Sequence, residues 1–97
     1  MKINFEDERP IFVQVAEGME DGILVGAYPE GEQVPSTTEV SVTYKINPAT
    51  ALKGVNRLVD EGILVKQRGV GMFVAEGAVE RVKKKRKAAF LSSISPL

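Results

Sequence analysis

The sequence predicts an α+β domain: three helices, a β-hairpin and a helical extension at the C-terminus. Two observations carry this. Three segments with apolar residues at helical spacing are bracketed by Pro, Ser or Asn at their starts, and the first and third end at Gly. After the third, two short β-branched and aromatic runs flank a turn with two glycines, the pattern of a hairpin. At 97 residues the chain holds one such domain and little more.

The elements follow in order. Residues 1–9 read as an extended, charged arm. Pro10 suits the first turn of a helix, where its missing N–H costs nothing. Phe12, Val15, Ala16, Met19 and Ile23 then recur at helical spacing, which predicts a helix over Ile11–Val25 with Gly26 as its stop. Gly18 and Gly22 weaken that helix, each by roughly 1 kcal/mol against Ala. Ala27–Glu32 is turn-rich. Ser36, followed three residues on by Glu39, forms a capping box for a second helix over Thr37–Tyr44. Its Val and Thr content makes its propensity poor, so packing must hold it.

Lys45-Ile46 is a short turn, and Asn47-Pro48 is a strong helix start: Asn caps and Pro takes the first helical position. The third helix runs over Pro48–Glu61, with Leu52, Val55, Leu58 and Val59 on its inner arc and Gly62 as its stop. Thr50, Lys53 and Arg57 line the opposite face. Ile63–Gln67 and Met72–Ala75 form the hairpin around Arg68-Gly69-Val70-Gly71. The last helix begins near Ala78 and runs toward Ile94.

Composition narrows the function. With no Cys and no His, zinc sites are disfavoured, and triads that use a His base are excluded. The absence of Cys fits a reducing cytoplasm, and the acidic start does not resemble a secretory leader. No apolar run reaches the roughly 20 residues of a membrane span. No metal, cofactor or enzymatic spacing is evident. Net charge is zero, but it is divided: residues 1–43 carry nine acids against Lys2 and Arg9, whereas residues 44–97 carry eleven bases against four acids. A chain polarised this way can present one basic face.

Two short helices joined by a tight turn, the second with a polar outward face, are the helix-turn-helix pattern, and the hairpin adds a wing. The major groove of B-DNA admits one helix. Asn47, Ala49, Thr50, Lys53 and Arg57 are donors or small residues suited to entering it. Lys66 and Arg68 lead into Gly69 and Gly71, a turn that can lie along phosphates or edge into the minor groove, with Arg68 as the inserting side chain. A polar helix face is equally what a solvated surface looks like. Gly69-Val70-Gly71 lacks the strand-loop-helix setting and the Lys-Ser/Thr ending of a nucleotide loop.

From Pro10 to Ala75 the chain resembles the GntR family of winged helix-turn-helix regulators. The resemblance is carried by Pro10-Ile11-Phe12-Val13-Gln14, by Gly26 and Gly31 with Val34-Pro35-Ser36, by Leu58-Val59-Asp60-Glu61-Gly62-Ile63, and by Arg68-Gly69-Val70-Gly71-Met72-Phe73-Val74. Ile46-Asn47-Pro48-Ala49-Thr50-Ala51 and the short tail resemble the YtrA-type subfamily. The resemblance implies a dimeric regulator, a repressor, bound to an inverted-repeat double-stranded DNA operator. It adds Ser36, Thr37 and Thr38 to the DNA-binding residues. Thr38 stands where the family often has Arg, and Ser41-Val42 where a small residue is common.

The expected division is a DNA-binding domain over 1–75 and a helical dimerisation segment over 76–97, with Phe90, Leu91 and Ile94 facing a second subunit. Subfamily members usually continue beyond Ser95-Pro96-Leu97, so a shortened regulator with fewer dimer contacts is expected. The run Lys83–Lys87 reads as a solvated helix face or as phosphate contacts; its likeness to a nuclear localisation signal carries little weight beside a bacterial family. A small-molecule effector is an open class of partner. The competing reading of another class is a winged helix used as a protein-interaction module.

Overall fold

The computed structural model describes residues 3–93. Pro10, extended at φ −55° and ψ 147°, opens α1 (Ile11–Leu24), and its carbonyl accepts from the amides of Val13 and Gln14. Val15, Ala16, Met19 and Ile23 of α1 enter the core. The N-terminal arm is not extended as expected. It turns over residues 5–9, because Gln14 ties it back: Gln14 Oε1 accepts from Asn4 N at 2.7 Å and Nε2 donates to Asn4 O at 2.9 Å. Arg9 adds ion pairs to Asp7 and Glu17 at 2.9 and 2.6 Å.

The capping box forms at the start of α2 (Thr37–Tyr44): Ser36 Oγ accepts from Glu39 N at 3.1 Å, and Ser36 N donates to Glu39 Oε1 at 3.4 Å. Lys45 ends the helix in the left-handed region, φ 54° and ψ 48°, and Ile46 N returns to Ser41 O at 3.0 Å. That is the tight turn between the two helices. Asn47 then caps α3 (Pro48–Asp60), its Oδ1 accepting from Ala49 N at 2.7 Å.

The inner face of α3 is Ala51, Gly54, Val55 and Leu58, which recur at i, i+3, i+4 and i+7. Leu52, placed on that arc by the sequence reading, sits one residue and about 100° round the helix from it. It is 42% exposed and belongs to the outer face. Gly54 lets α3 cross α1 closely. A Cβ at Gly54 would lie 2.7 Å from Phe12 O and 2.9 Å from Val15 Cβ. In α1 itself, Gly22 makes room for Tyr28: a Cβ there would meet its ring at 2.5 Å.

β1 (Leu64–Gln67) and β2 (Gly71–Val74) pair antiparallel with Leu64 opposite Val74 and Gln67 opposite Gly71. Residues 31–34 join the other edge of β2. Gly31 N donates to Val74 O at 2.8 Å, Val74 N to Glu32 O at 2.9 Å and Val34 N to Met72 O at 3.0 Å, and Gln33 bridges Phe73. The two-stranded wing therefore gains a third, irregular segment along β2, the loop that feeds α2.

α4 (Ala78–Ser93) packs its first turns into the same core through Ala78 and Val82. Glu30 caps it from a distance, accepting from Gly77 N at 2.9 Å and Val79 N at 3.1 Å. Further along, Glu20 of α1, 1% exposed, accepts from Lys85 Nζ at 2.6 Å and Arg86 at 3.4 Å. Lys85 also reaches Glu61 at 2.8 Å, and Arg86 reaches Asp21 at 2.8 Å. Burial alone would lower the Lys85 pKa; its hydrogen bonds to Glu20 and Glu61 outweigh that and raise it above the ordinary lysine value.

Three outcomes test this account. Gly54→Ala forces backbone apart at the α1–α3 crossing and is expected to destabilise by about 1–3 kcal/mol in urea unfolding. Lys45→Gly relieves a left-handed side-chain residue and should stabilise by about 1 kcal/mol in the same measurement. The third concerns pH. Hydrogen bonds from Gly77 N and Val79 N hold the Glu30 carboxyl below its ordinary 4.5. Its contribution to stability is therefore present above pH 4.5 and is lost as the pH falls through the lowered folded value. Thermal unfolding followed across that window should show a shallower acid limb in Glu30→Gln than in the parent chain.

Candidate nucleic-acid interface

The site is built from the second helix-turn-helix element outward. Because Ala51, Gly54, Val55 and Leu58 are buried, α3 turns Ala49, Lys53, Asn56 and Arg57 to solvent. Lys53 does not hang free. Its Nζ sits 4.2 Å from the centroid of the Phe12 ring, a cation–π contact that directs the ammonium along the outer face of α3. Ala49, Leu52, Lys53 and Arg57 line one open groove with Phe12.

The other predicted residues fall around this face. Asn47 is exposed at the start of α3, with Oδ1 engaged by the cap, while Thr50 is half-buried. Ser36 and Thr37 are half-buried and Thr38 exposed in the first turn of α2. The Ser36 hydroxyl is already an acceptor in the capping box. Lys66, Arg68 and Gly69 are exposed on the wing, and Gly71 is half-buried at the start of β2. Gly71 needs its glycine twice over: its φ is +143°, and a Cβ would collide with Gln33 Nε2.

The cations divide by what they touch. Arg9, Lys83, Lys85 and Arg86 each meet a carboxylate. Arg81 is spent on the carbonyls of Gly62 and Glu76 at 3.0 and 3.1 Å. Among the described residues, Lys45, Lys53, Arg57, Lys66 and Arg68 form no ion pair, and neither do Lys84 and Lys87 of α4. The first five are exposed and lie on the turn, on α3 and on the wing, and the other two are exposed on α4. The basic run on α4 is thus not a uniform solvated face, because Lys85 and Arg86 dock the helix. Phe90 and Leu91 lie in α4 and Ile94 beyond it, and all three side chains lie outside the described residues.

Sequence reasoning missed three contributors. Leu52 could have been found by drawing the α3 stripe through Ala51 instead. Phe12, read only as part of the apolar stripe of the first helix, partly faces the groove and carries Lys53. Gln33 gave no local signal, because its partner Val70 lies 37 residues away.

With this geometry in hand, the likeness to known proteins is specific. Residues 12–74 match the family model of bacterial regulatory proteins, gntR family. The chain is 31% identical over 78 residues to the HTH-type transcriptional repressor YtrA of Bacillus subtilis, covering 80% of this chain and 60% of that protein. The structure of YtrA from Sulfolobus acidocaldarius, a GntR-family transcription factor, superposes with a TM-score of 0.74 at 27% identity, over 99% of this chain and 85% of that one. BusR of S. agalactiae, solved with its busAB-promotor DNA, superposes with a TM-score of 0.71 at 28% identity, over 88% of this chain and 40% of that one. The chain spans about a third of the length of the longer curated relatives it matches. The fold is a winged helix, the third-helix variant read as YtrA-type has two YtrA proteins among its relatives, and the chain belongs to the gntR family of bacterial regulatory proteins.

Proposed function

We propose that the chain is a DNA-binding transcriptional regulator, acting as a repressor, that reads an inverted-repeat operator as a dimer. The observation that carries this is the set of cations on the turn, on α3 and on the wing, none of which meets a carboxylate, whereas Lys83, Lys85 and Arg86, three of the six cations of α4, are tied to acids. Unpaired Lys and Arg on one element set are what a polyanion requires, since each neutralised phosphate releases counterions. The likeness to BusR, a protein solved on promoter DNA, supports the same direction.

In this reading α3 enters the major groove. Asn47, Ala49 and Thr50 approach base edges from its first turn, with Ala49 suited to a thymine methyl. Lys53, held by Phe12, and Arg57 further along donate to guanine or to phosphates. Ser36, Thr37 and Thr38 at the start of α2 meet the backbone, as helix N-termini do. Lys66 and Arg68 with Gly69 and Gly71 place the wing on phosphates or in the minor groove. The C-terminal segment, with Phe90 and Leu91 in α4 and Ile94 after it in the sequence, supplies the two-fold contact. Half-sites would then lie one helical turn apart, roughly 34–36 Å.

A second reading draws on the groove beside Leu52 and Phe12, whose apolar edge would suit a protein partner. The two differ in salt dependence. Binding-site selection from a random duplex library is expected to return an inverted repeat. Lys53→Ala and Arg68→Ala should each then weaken binding to that duplex by about tenfold, and each should reduce the salt slope by about 1 where it meets a phosphate. Unchanged affinity in both variants would overturn the assignment, and salt-insensitive binding lost in Leu52→Ala would favour the protein partner.

A further inference from the structure

Arg68, Gly69 and Val70 form the wing tip, and two glycines within and beside it leave its backbone few steric restraints. The hairpin closes with Val70 N to Gln67 O at 3.0 Å. A tip this short would still pivot with its hairpin. Gln33 stands against that motion. Its Nε2 donates to Val70 O at 3.0 Å, across 37 residues, and its amide lies in the space that a Cβ on Gly71 would fill. Its backbone bridges Phe73, so the side chain is anchored at the edge of the same sheet. Gln33 lies three residues before Ser36, the cap of α2. One side chain therefore ties the wing tip to the entry of the helix-turn-helix.

We infer that Gln33 is a positioning residue that presets the wing for DNA, holding the Arg68 turn at a fixed angle to α2 and α3. The inference rests on the proposed reading of the wing as a DNA contact. Gln33 touches no DNA in this account; it acts through Val70 and so through Arg68. Without it, the tip samples other angles, and part of the binding free energy is spent on ordering it. Gly71 serves the same device by leaving the amide room.

Gln33→Met keeps the side-chain length and removes the donor. The test has two arms. The first is ¹⁵N relaxation of the DNA-free protein, in which the amides of Gly69, Val70 and Gly71 should gain motion in Gln33→Met while α1, α2 and α3 stay as they are. The second is affinity for a duplex recovered by binding-site selection. Gln33→Met should lose about 2- to 10-fold, the range of one intramolecular hydrogen bond, and that loss should vanish in an Arg68→Ala background. Tip amides as rigid as in the parent chain would overturn the inference. So would losses from Gln33→Met and Arg68→Ala that simply multiply. If Arg68→Ala alone leaves affinity unchanged, the reading of the wing as a DNA contact falls, and the inference falls with it.

Discussion

The backbone of α3 at Gly54 lies against the Phe12 carbonyl and the Val15 side chain of α1, closer than any residue with a side chain would permit. Much else follows from that crossing. It commits Ala51, Gly54, Val55 and Leu58 to the core, which fixes the rotation of α3 about its axis. Fixing that rotation decides which residues face out. Leu52 becomes an exposed residue, and Lys53 comes to rest over Phe12. A core of this size has few alternatives, since close-packed interiors respond to a single added methyl group.

Around that crossing, the opposed charges of the two halves of the chain are put to two uses. Buried Glu20 draws Lys85 and Arg86 of α4 onto α1, and Glu61 at the end of α3 shares Lys85. A buried carboxylate is tolerated only where cations and hydrogen bonds replace its water, and two cations do so here. The cations of the turn, α3 and the wing form no ion pair among the described residues. Zero net charge thus conceals a molecule in which Glu20, Asp21 and Glu61 are engaged where α4 docks, while the bases of the turn, α3 and the wing meet no carboxylate. The same docking joins α4 to the end of α3 through Lys85 and Glu61.

Much of this architecture was legible in the residues because its signals are local. Ser36 with Glu39, and Asn47 with Pro48, satisfy amides within three residues of themselves, so the starts of α2 and α3 could be placed without any tertiary information. The hairpin followed from β-branched runs around two glycines. The candidate face was also partly legible, since Ala49, Lys53 and Arg57 recur at the period of a helix. Leu52 was misplaced because an apolar residue was assumed to be buried, while the small residues Ala51 and Gly54 that do face α1 carry little hydrophobic signal. The cost assigned to Gly22 was also incomplete: the residue that requires its small size, Tyr28, lies in the following loop.

By itself the sequence determined the order of the elements, most of their ends, and the family pattern from Pro10 to Ala75, because caps, turns and periodicity act over a few residues. The tertiary structure decided what depends on distant partners. Gln14 folds back the arm that charge alone made extended, Glu30 caps a helix 47 residues away, and Gln33 reaches the wing tip. It also decided which bases are spent and which are free. A charge in a sequence is only a potential interaction, and the chain must fold before it is known whether an acid or water stands opposite.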